Sequence, residues 1–158
     1  HYLEWKAKEF NFNTHFIALA GEINRRMPEF VKEKVLRILN RAGVPASKAQ
    51  VLVLGVAYKK DIKDERESPA IELIKLLKQE QVEVIYYDPF IPVISEPGLE
   101  MSSSPLAAET LRKCDLVVIT TDHSSIDYSW VVKNSQRVFD TRNATKHVRE
   151  NKEKIHML

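Results

Sequence analysis

One segment constrains this chain more than any other: Val51-Leu-Val-Leu-Gly55, a cationic loop, and then Ser68-Pro69. Apolar residues in an unbroken short run suit a parallel strand covered on both faces. Ser68 has the side chain of a helix N-cap, and Pro69 suits the first helical position. Ile71, Ile74 and Leu77 then fall on one helical face. Between strand and helix lie Tyr58, Lys59, Lys60 and Arg66. A loop at the carboxyl end of a parallel strand, beside a helix N-terminus, is where α/β folds place anionic ligands. Gly55 is the only glycine between positions 44 and 97, so the dinucleotide fingerprint G-x-G-x-x-G is absent.

The rest of the chain repeats the strand-helix texture. Strands are predicted at 51–56, 82–87, 115–120 and 136–140, and helices near 68–80, 105–113 and 127–134. The segment 88–105 carries Pro89, Pro92, Pro97 and Pro105 and reads as a loop, with a weak edge strand near 99–101. Residues 1–42 read as helical, with Asn13 or Thr14 as a cap, a bend or restart at Pro28, and an end at Gly43-Val-Pro45. The expected fold is α/β: a Rossmann-like parallel sheet with helices on both faces, preceded by a long helical arm. The expected division is a helical arm over 1–45 and a Rossmann-like domain over 46–158.

Composition narrows the function classes. The 158 residues suffice for one domain with a sizeable core. With 24 basic and 22 acidic residues mixed along the chain, no basic block marks a nucleic-acid footprint. No apolar run approaches the ~20 residues that span a bilayer, and no signal-peptide start is present. A single cysteine excludes an internal disulfide framework and suits a reducing cytosol, so a cytoplasmic location is expected. Because the chain starts at His1 without a methionine, a fragment or processed product is expected. The five histidines show no ligand spacing, so no metal site is expected.

Parallel strands put the loops that follow them on one edge. Lys59 after the first strand, Arg66 before the first helix and Arg142 after the last strand should converge there, and converging cations suit a diphosphate. The alternative is that each cation pairs on the surface with Asp61, Asp64, Glu65, Glu67 or Asp140, since exposed ion pairs are common and weak. Tyr58 can either cap the core or stack on a ligand. His123, in Thr121-Asp-His-Ser124, has a loop hydrogen bond as its default role and a ligand contact as the alternative. Ser124, Ser125 and Asp127 have no nucleophile elbow beside them and make no convincing Ser/His/Asp site.

Several motifs together carry a family resemblance. Leu54-Gly-Val-Ala-Tyr-Lys-Lys-Asp61, followed by Asp64-Glu-Arg-Glu-Ser-Pro69, resembles the start of the C-terminal domain of the NAD-dependent nucleotide-sugar dehydrogenases. So do Tyr2-Leu-Glu-Trp-Lys-Ala-Lys8, Phe16 to Pro28, Tyr87-Asp-Pro89, Thr121 to Ser124 and Asp140-Thr-Arg-Asn-Ala144, which occur in the family's order. The resemblance covers roughly positions 2–145. It implies that Tyr58, Lys59 and Arg142 bind a UDP-sugar, and that Arg66 reaches NAD held mainly by an N-terminal domain. It further implies a homodimer through the helix of residues 13–42. The family attacks its aldehyde intermediate with a cysteine thiolate. Cys114 stands far from that motif, at the start of a buried strand, and reads as a small buried hydrophobe. The matching cysteine segment would precede His1, so the chain alone is expected to be inactive, with no catalytic residue of its own. Among subfamilies the UDP-N-acetylglucosamine 6-dehydrogenases look nearest, with UDP-N-acetylmannosamine and UDP-glucose enzymes next. A stand-alone nucleotide-binding or regulatory module, or an interaction domain with a vestigial pocket, is the reading from a different class.

Overall fold

The computed structural model describes residues 15–158. The expectations for Trp5, for the cap at Asn13 or Thr14 and for the motif beginning at Tyr2 lie outside the described residues. Helix α1 (His15–Arg41) runs through Pro28, so of the bend or restart expected there no restart occurs. Proline removes one backbone bond in such a helix. Packing compensates, because Pro28, Val31, Val35, Ile38 and Leu39 are buried against the domain. The helix ends where Gly43 adopts φ +72° and the Val44 N–H reaches back to the Leu39 carbonyl at 3.0 Å.

The main sheet has the order β2-β1-β5-β6-β7, and every neighbouring pair is parallel. Its strands are β1 (Gln50–Leu54), β2 (Glu83–Tyr87), β5 (Leu116–Ile119), β6 (Val138–Asp140) and β7 (Ile155–Met157). Helix α2 (Pro69–Gln79) links β1 to β2 and opens as expected, with Ser68 Oγ accepting the Ala70 N–H at 3.3 Å. Helices α3 (Ala108–Lys113) and α4 (Tyr128–Asn134) flank β5 in sequence.

Successive strand residues alternate between two cores. Val51, Val53, Leu116, Val118 and Phe139 join one cluster with buried residues of α1 and α2. Leu52, Leu54, Val117, Ile119 and Val138 face the other side, with Leu111 of α3 and Val131 and Val132 of α4. Each such side chain contributes about 1.5–3 kcal/mol when fully buried, which is why these strands need no polar face.

Two expectations are corrected. The segment 88–105 is not all loop: β3 (Val93–Glu96) and β4 (Leu99–Ser102) form an antiparallel hairpin in a sheet of their own. β4 matches the weak strand expected near 99–101, whereas the four residues of β3 are too short for periodicity to reveal. The hairpin is tied to the domain by Lys75–Glu96 at 2.8 Å and by the Tyr86 hydroxyl, which donates to the Met101 carbonyl at 3.4 Å. The fifth strand, β7, was not anticipated, because three mixed residues at the sheet edge carry no hydrophobic signal.

The chain leaves β1 for β2 on one side and returns to β5 on the other. The carboxyl ends of β1 and β5 therefore flank a topological switch point, the crevice where open α/β sheets bind ligands. On α1, Phe16, Ile17, Leu19 and Ile23 are exposed. No helix among the described residues is long and apolar enough to cross a membrane.

Candidate functional site

Two buried aspartates organise the carboxyl edge. Asp88, just past β2, accepts the N–H groups of Val56 (2.7 Å) and Ala57 (2.9 Å) on Oδ2 and those of Phe90 (2.8 Å) and Ile91 (3.2 Å) on Oδ1. Asp140, the last residue of β6, accepts the N–H groups of Arg142 (2.9 Å) and Ala144 (3.2 Å) on Oδ1. Its Oδ2 takes the N–H and hydroxyl of Thr145, at 2.8 and 2.6 Å. A buried carboxylate is tolerable only when its lone pairs are filled, and charge-assisted bonds from loop amides fill them here. The consequence is a fixed shape for the loops that carry Lys59 and Arg142.

The loop after β1 begins with a close approach. Gly55 has φ +87°, and a Cβ at that position would lie 2.4 Å from the Thr121 carbonyl oxygen. Only glycine lets the loops after β1 and β5 meet so closely. The Thr121 hydroxyl then donates to the Ala57 carbonyl at 2.7 Å. Residues 58–61 form an arch. The Tyr58 N–H donates to the Asp64 carbonyl at 2.7 Å, and the Asp61 N–H donates to His123 Nδ1 at 3.0 Å. The Asp61 carboxylate accepts from the Ser124 hydroxyl (2.7 Å) and N–H (2.8 Å). Those bonds, the hydroxyl's first, hold its pKa below the ordinary 3.8.

The cations named from sequence meet different fates. Arg142 Nε lies 3.8 Å from Asp122 Oδ1, while Lys60 Nζ lies 3.9 Å from Oδ2 of the same carboxylate. The loops after β1, β5 and β6 are thus brought together, with Lys60 rather than Lys59 as the direct link. Lys59 Nζ stands 5.5 Å from the centroid of the Tyr58 ring. Tyr58 is 50 % exposed, so it does not cap the core. Arg66 is folded onto Asp64 by two bonds of 2.9 Å, and its guanidinium is directed along its own loop. This contact holds the Asp64 pKa down to about 2. The surface pairing considered from sequence therefore applies to Arg66. For Arg142 the partner is Asp122, and Asp140 holds the backbone instead. Beside Arg142 an open depression of about 390 Å³ is lined by Asp140, Thr141, Arg142, Asn143, Met157 and Leu158.

Cys114 is fully buried, its thiol pushed up to about 11 by burial first and then by Asp115 and Glu83. His123 is also fully buried, and both ring nitrogens are engaged within the loops. Sequence reasoning passed over Asp88 and Asp122 as edge residues. The available signal was position: each is an aspartate within three residues of the end of a parallel strand, where loop amides or loop cations must find a partner.

Chemically, this edge offers two exposed cations that share one half-buried carboxylate, a third cation beside an aromatic ring, and loops locked by buried aspartates. Such an arrangement suits an anion with several oxygens, and the diphosphate of a nucleotide has that form. A family model described as "UDP-glucose/GDP-mannose dehydrogenase family, UDP binding domain" matches residues 52–147. The chain is 31% identical over 151 residues to a UDP-N-acetyl-D-mannosamine dehydrogenase of Methanococcus maripaludis, an alignment covering 90% of this chain and 34% of that protein. The solved UDP-D-ManNAc dehydrogenase of Pyrococcus horikoshii superposes with a TM-score of 0.70 at 27% identity, over 91% of this chain and 33% of the other. The UDP-N-acetyl-mannosamine dehydrogenase of Staphylococcus aureus does so at 0.68 and 30% identity, over 92% and 33%. The chain therefore spans about a third of the length of these relatives. It belongs to the UDP-glucose/GDP-mannose dehydrogenase family, and its α/β sheet is that family's UDP binding domain.

Proposed function

We propose that these 158 residues supply the UDP-sugar half of an NAD-dependent UDP-sugar 6-dehydrogenase working in the cytoplasm. The observation that carries the reading is the meeting of Lys60 and Arg142 on Asp122 at the switch-point edge, inside the segment matched to the UDP binding domain. Arg142 and Lys59 hold the diphosphate, joined by Lys60, and Tyr58 lies against the ligand. The incoming diphosphate displaces Asp122 from the cations, because a long exposed ion pair is worth little. The relatives named above shift the sugar from UDP-N-acetylglucosamine, which the sequence motifs placed first, toward UDP-N-acetylmannosamine.

The described residues do not themselves fit NAD. The close backbone approach just after β1, at Gly55, is filled by Thr121 and leaves no cradle for a pyrophosphate. Arg66 reaches the NAD held by another domain, after leaving Asp64. Hence we propose that this chain by itself has no dehydrogenase activity, and that an N-terminal domain completes the site. The division into a helical arm over 1–45 and a ligand domain over 46–158 belongs to the same proposal. So does a homodimer through residues 13–42, for which the exposed Phe16, Leu19 and Ile23 provide an apolar face.

Calorimetric titration of the chain with UDP, and with NAD as the control, tests the reading. Binding of UDP at micromolar to millimolar Kd without NAD binding is the expected result. NADH production by the chain alone, or NAD binding without UDP binding, would overturn it.

A further inference from the structure

We infer that His123 is a positioning residue that sets the Tyr58–Asp61 arch in place, working as a neutral ring with its single N–H at Nε2. The inference rests on reading this edge as a UDP-sugar site. A backbone amide can only donate, so Nδ1, 3.0 Å from the Asp61 nitrogen, carries no proton. The ring proton is then on Nε2 and is donated to Asp88 Oδ2 at 2.9 Å. That same oxygen accepts the Val56 and Ala57 amides. The arch is therefore fixed at its start by Asp88 and at its end by His123, in one continuous series of bonds.

The surroundings keep the imidazole in this pose. The Phe90 ring lies 5.0 Å from it between centroids, and the Tyr128 hydroxyl donates to the His123 carbonyl at 3.2 Å. Asp61 Oδ1 stands 3.7 Å from Nδ1 but is occupied by Ser124. Asp61 itself sits at φ +59°, a conformation costly for a residue with a Cβ. Without an acceptor for its amide, the end of the arch relaxes toward ordinary backbone, and the bond that is lost belongs to the peptide joining Lys60 to Asp61. The cations move with it.

Two near-isosteric variants separate the ends of the ring. His123→Asn keeps an acceptor near the Nδ1 position but does not reach Asp88. His123→Gln keeps a donor near the Nε2 position and loses the acceptor for Asp61. Amide exchange of Asp61 is read by NMR in the ligand-free chain, and UDP affinity by calorimetry. We expect Asp61 protection in the wild type and in H123N but not in H123Q. UDP binding should weaken roughly tenfold in H123Q, as for one lost hydrogen bond, and much less in H123N. A role confined to stability would lower Tm in both variants without this split. Retained Asp61 protection in H123Q, or equal UDP affinities of the two variants, would overturn the inference. If the exchange pattern appears but the wild type binds no UDP, the nucleotide-site reading is overturned, and the role of His123 in binding with it.

Discussion

Asp122 places its carboxylate 3.8 Å from the Arg142 Nε, at the far limit of an ion pair, and the same carboxylate reaches Lys60 at 3.9 Å. Pairs this long and exposed contribute between nothing and about 1 kcal/mol. A diphosphate competes with Asp122 for both cations, so the two sides of the pair have opposite effects on binding. Arg142→Ala should weaken UDP binding by roughly 1.5–3 kcal/mol, the worth of charge-assisted hydrogen bonds to a phosphate. Asp122→Asn should strengthen it by a few tenths to about 1 kcal/mol at low salt, with the gain fading as ionic strength rises. Calorimetry in 20 and 300 mM salt checks both signs. Unchanged affinity in the Arg142 variant would remove that residue from the site.

Gly55 should tolerate no side chain. Alanine there adopts φ +87° and drives its Cβ to 2.4 Å from the Thr121 carbonyl oxygen and 2.9 Å from its nitrogen, both rigid backbone atoms. Backbone strain and overpacking together should cost roughly 3 kcal/mol or more in Gly55→Ala. Urea unfolding reads this as a lower midpoint with an unchanged slope. Because Thr121 precedes Asp122 and His123, the variant that still folds should also lose UDP affinity. An unshifted midpoint would mean that the loop after β5 yields without cost.

Cys114 should be inert in the native state. Its thiol is pushed up to about 11, so on the order of one molecule in a thousand carries the thiolate near pH 8. No surface is open to a reagent either, because the side chain is fully buried beside Gln50, with Sγ 3.7 Å from Oε1. A disulfide reagent at pH 8 should label it only as fast as the chain opens, and urea should raise the rate with the unfolded fraction. Labelling at the rate of a free thiol without denaturant would contradict the buried placement.

The parts of this molecule that were legible in the sequence are those set by local chemistry. Val51–Leu54 announced a buried strand through uninterrupted apolar residues, and Ser68-Pro69 announced a helix start through the needs of its first turn. That Arg142 would share an edge with the loop after β1 followed from parallel strands alone. Which acid it meets was not legible, because several carboxylates lie within reach in sequence and only the fold selects Asp122. Asp140 read as a surface partner for a cation and Asp88 drew no role from sequence, yet both are buried, Asp88 under amides from the distant loop after β1 and Asp140 under those of its own loop. β7 was illegible for a related reason. Its Ile155–Met157 segment becomes a strand by pairing with β6, whose register it shares at Val138, Phe139 and Asp140.

That same edge strand gives the domain a pH dependence with a definite sign. His156 on β7 has its pKa lowered from 6.5, by burial first and then by the charges of Arg137 and Arg41. The unfolded chain therefore takes up the proton before the folded one does. Its contribution to stability is complete above 6.5 and is lost as the pH falls from 6.5 toward the folded value, below which no further change comes from this residue. His156→Gln removes the titration but keeps a polar side chain on β7. Wild-type Tm should fall below that of the variant's trend as the pH drops below 6.5, and the two curves should run parallel above about pH 7.5. Parallel curves throughout would show that another group carries the acid sensitivity.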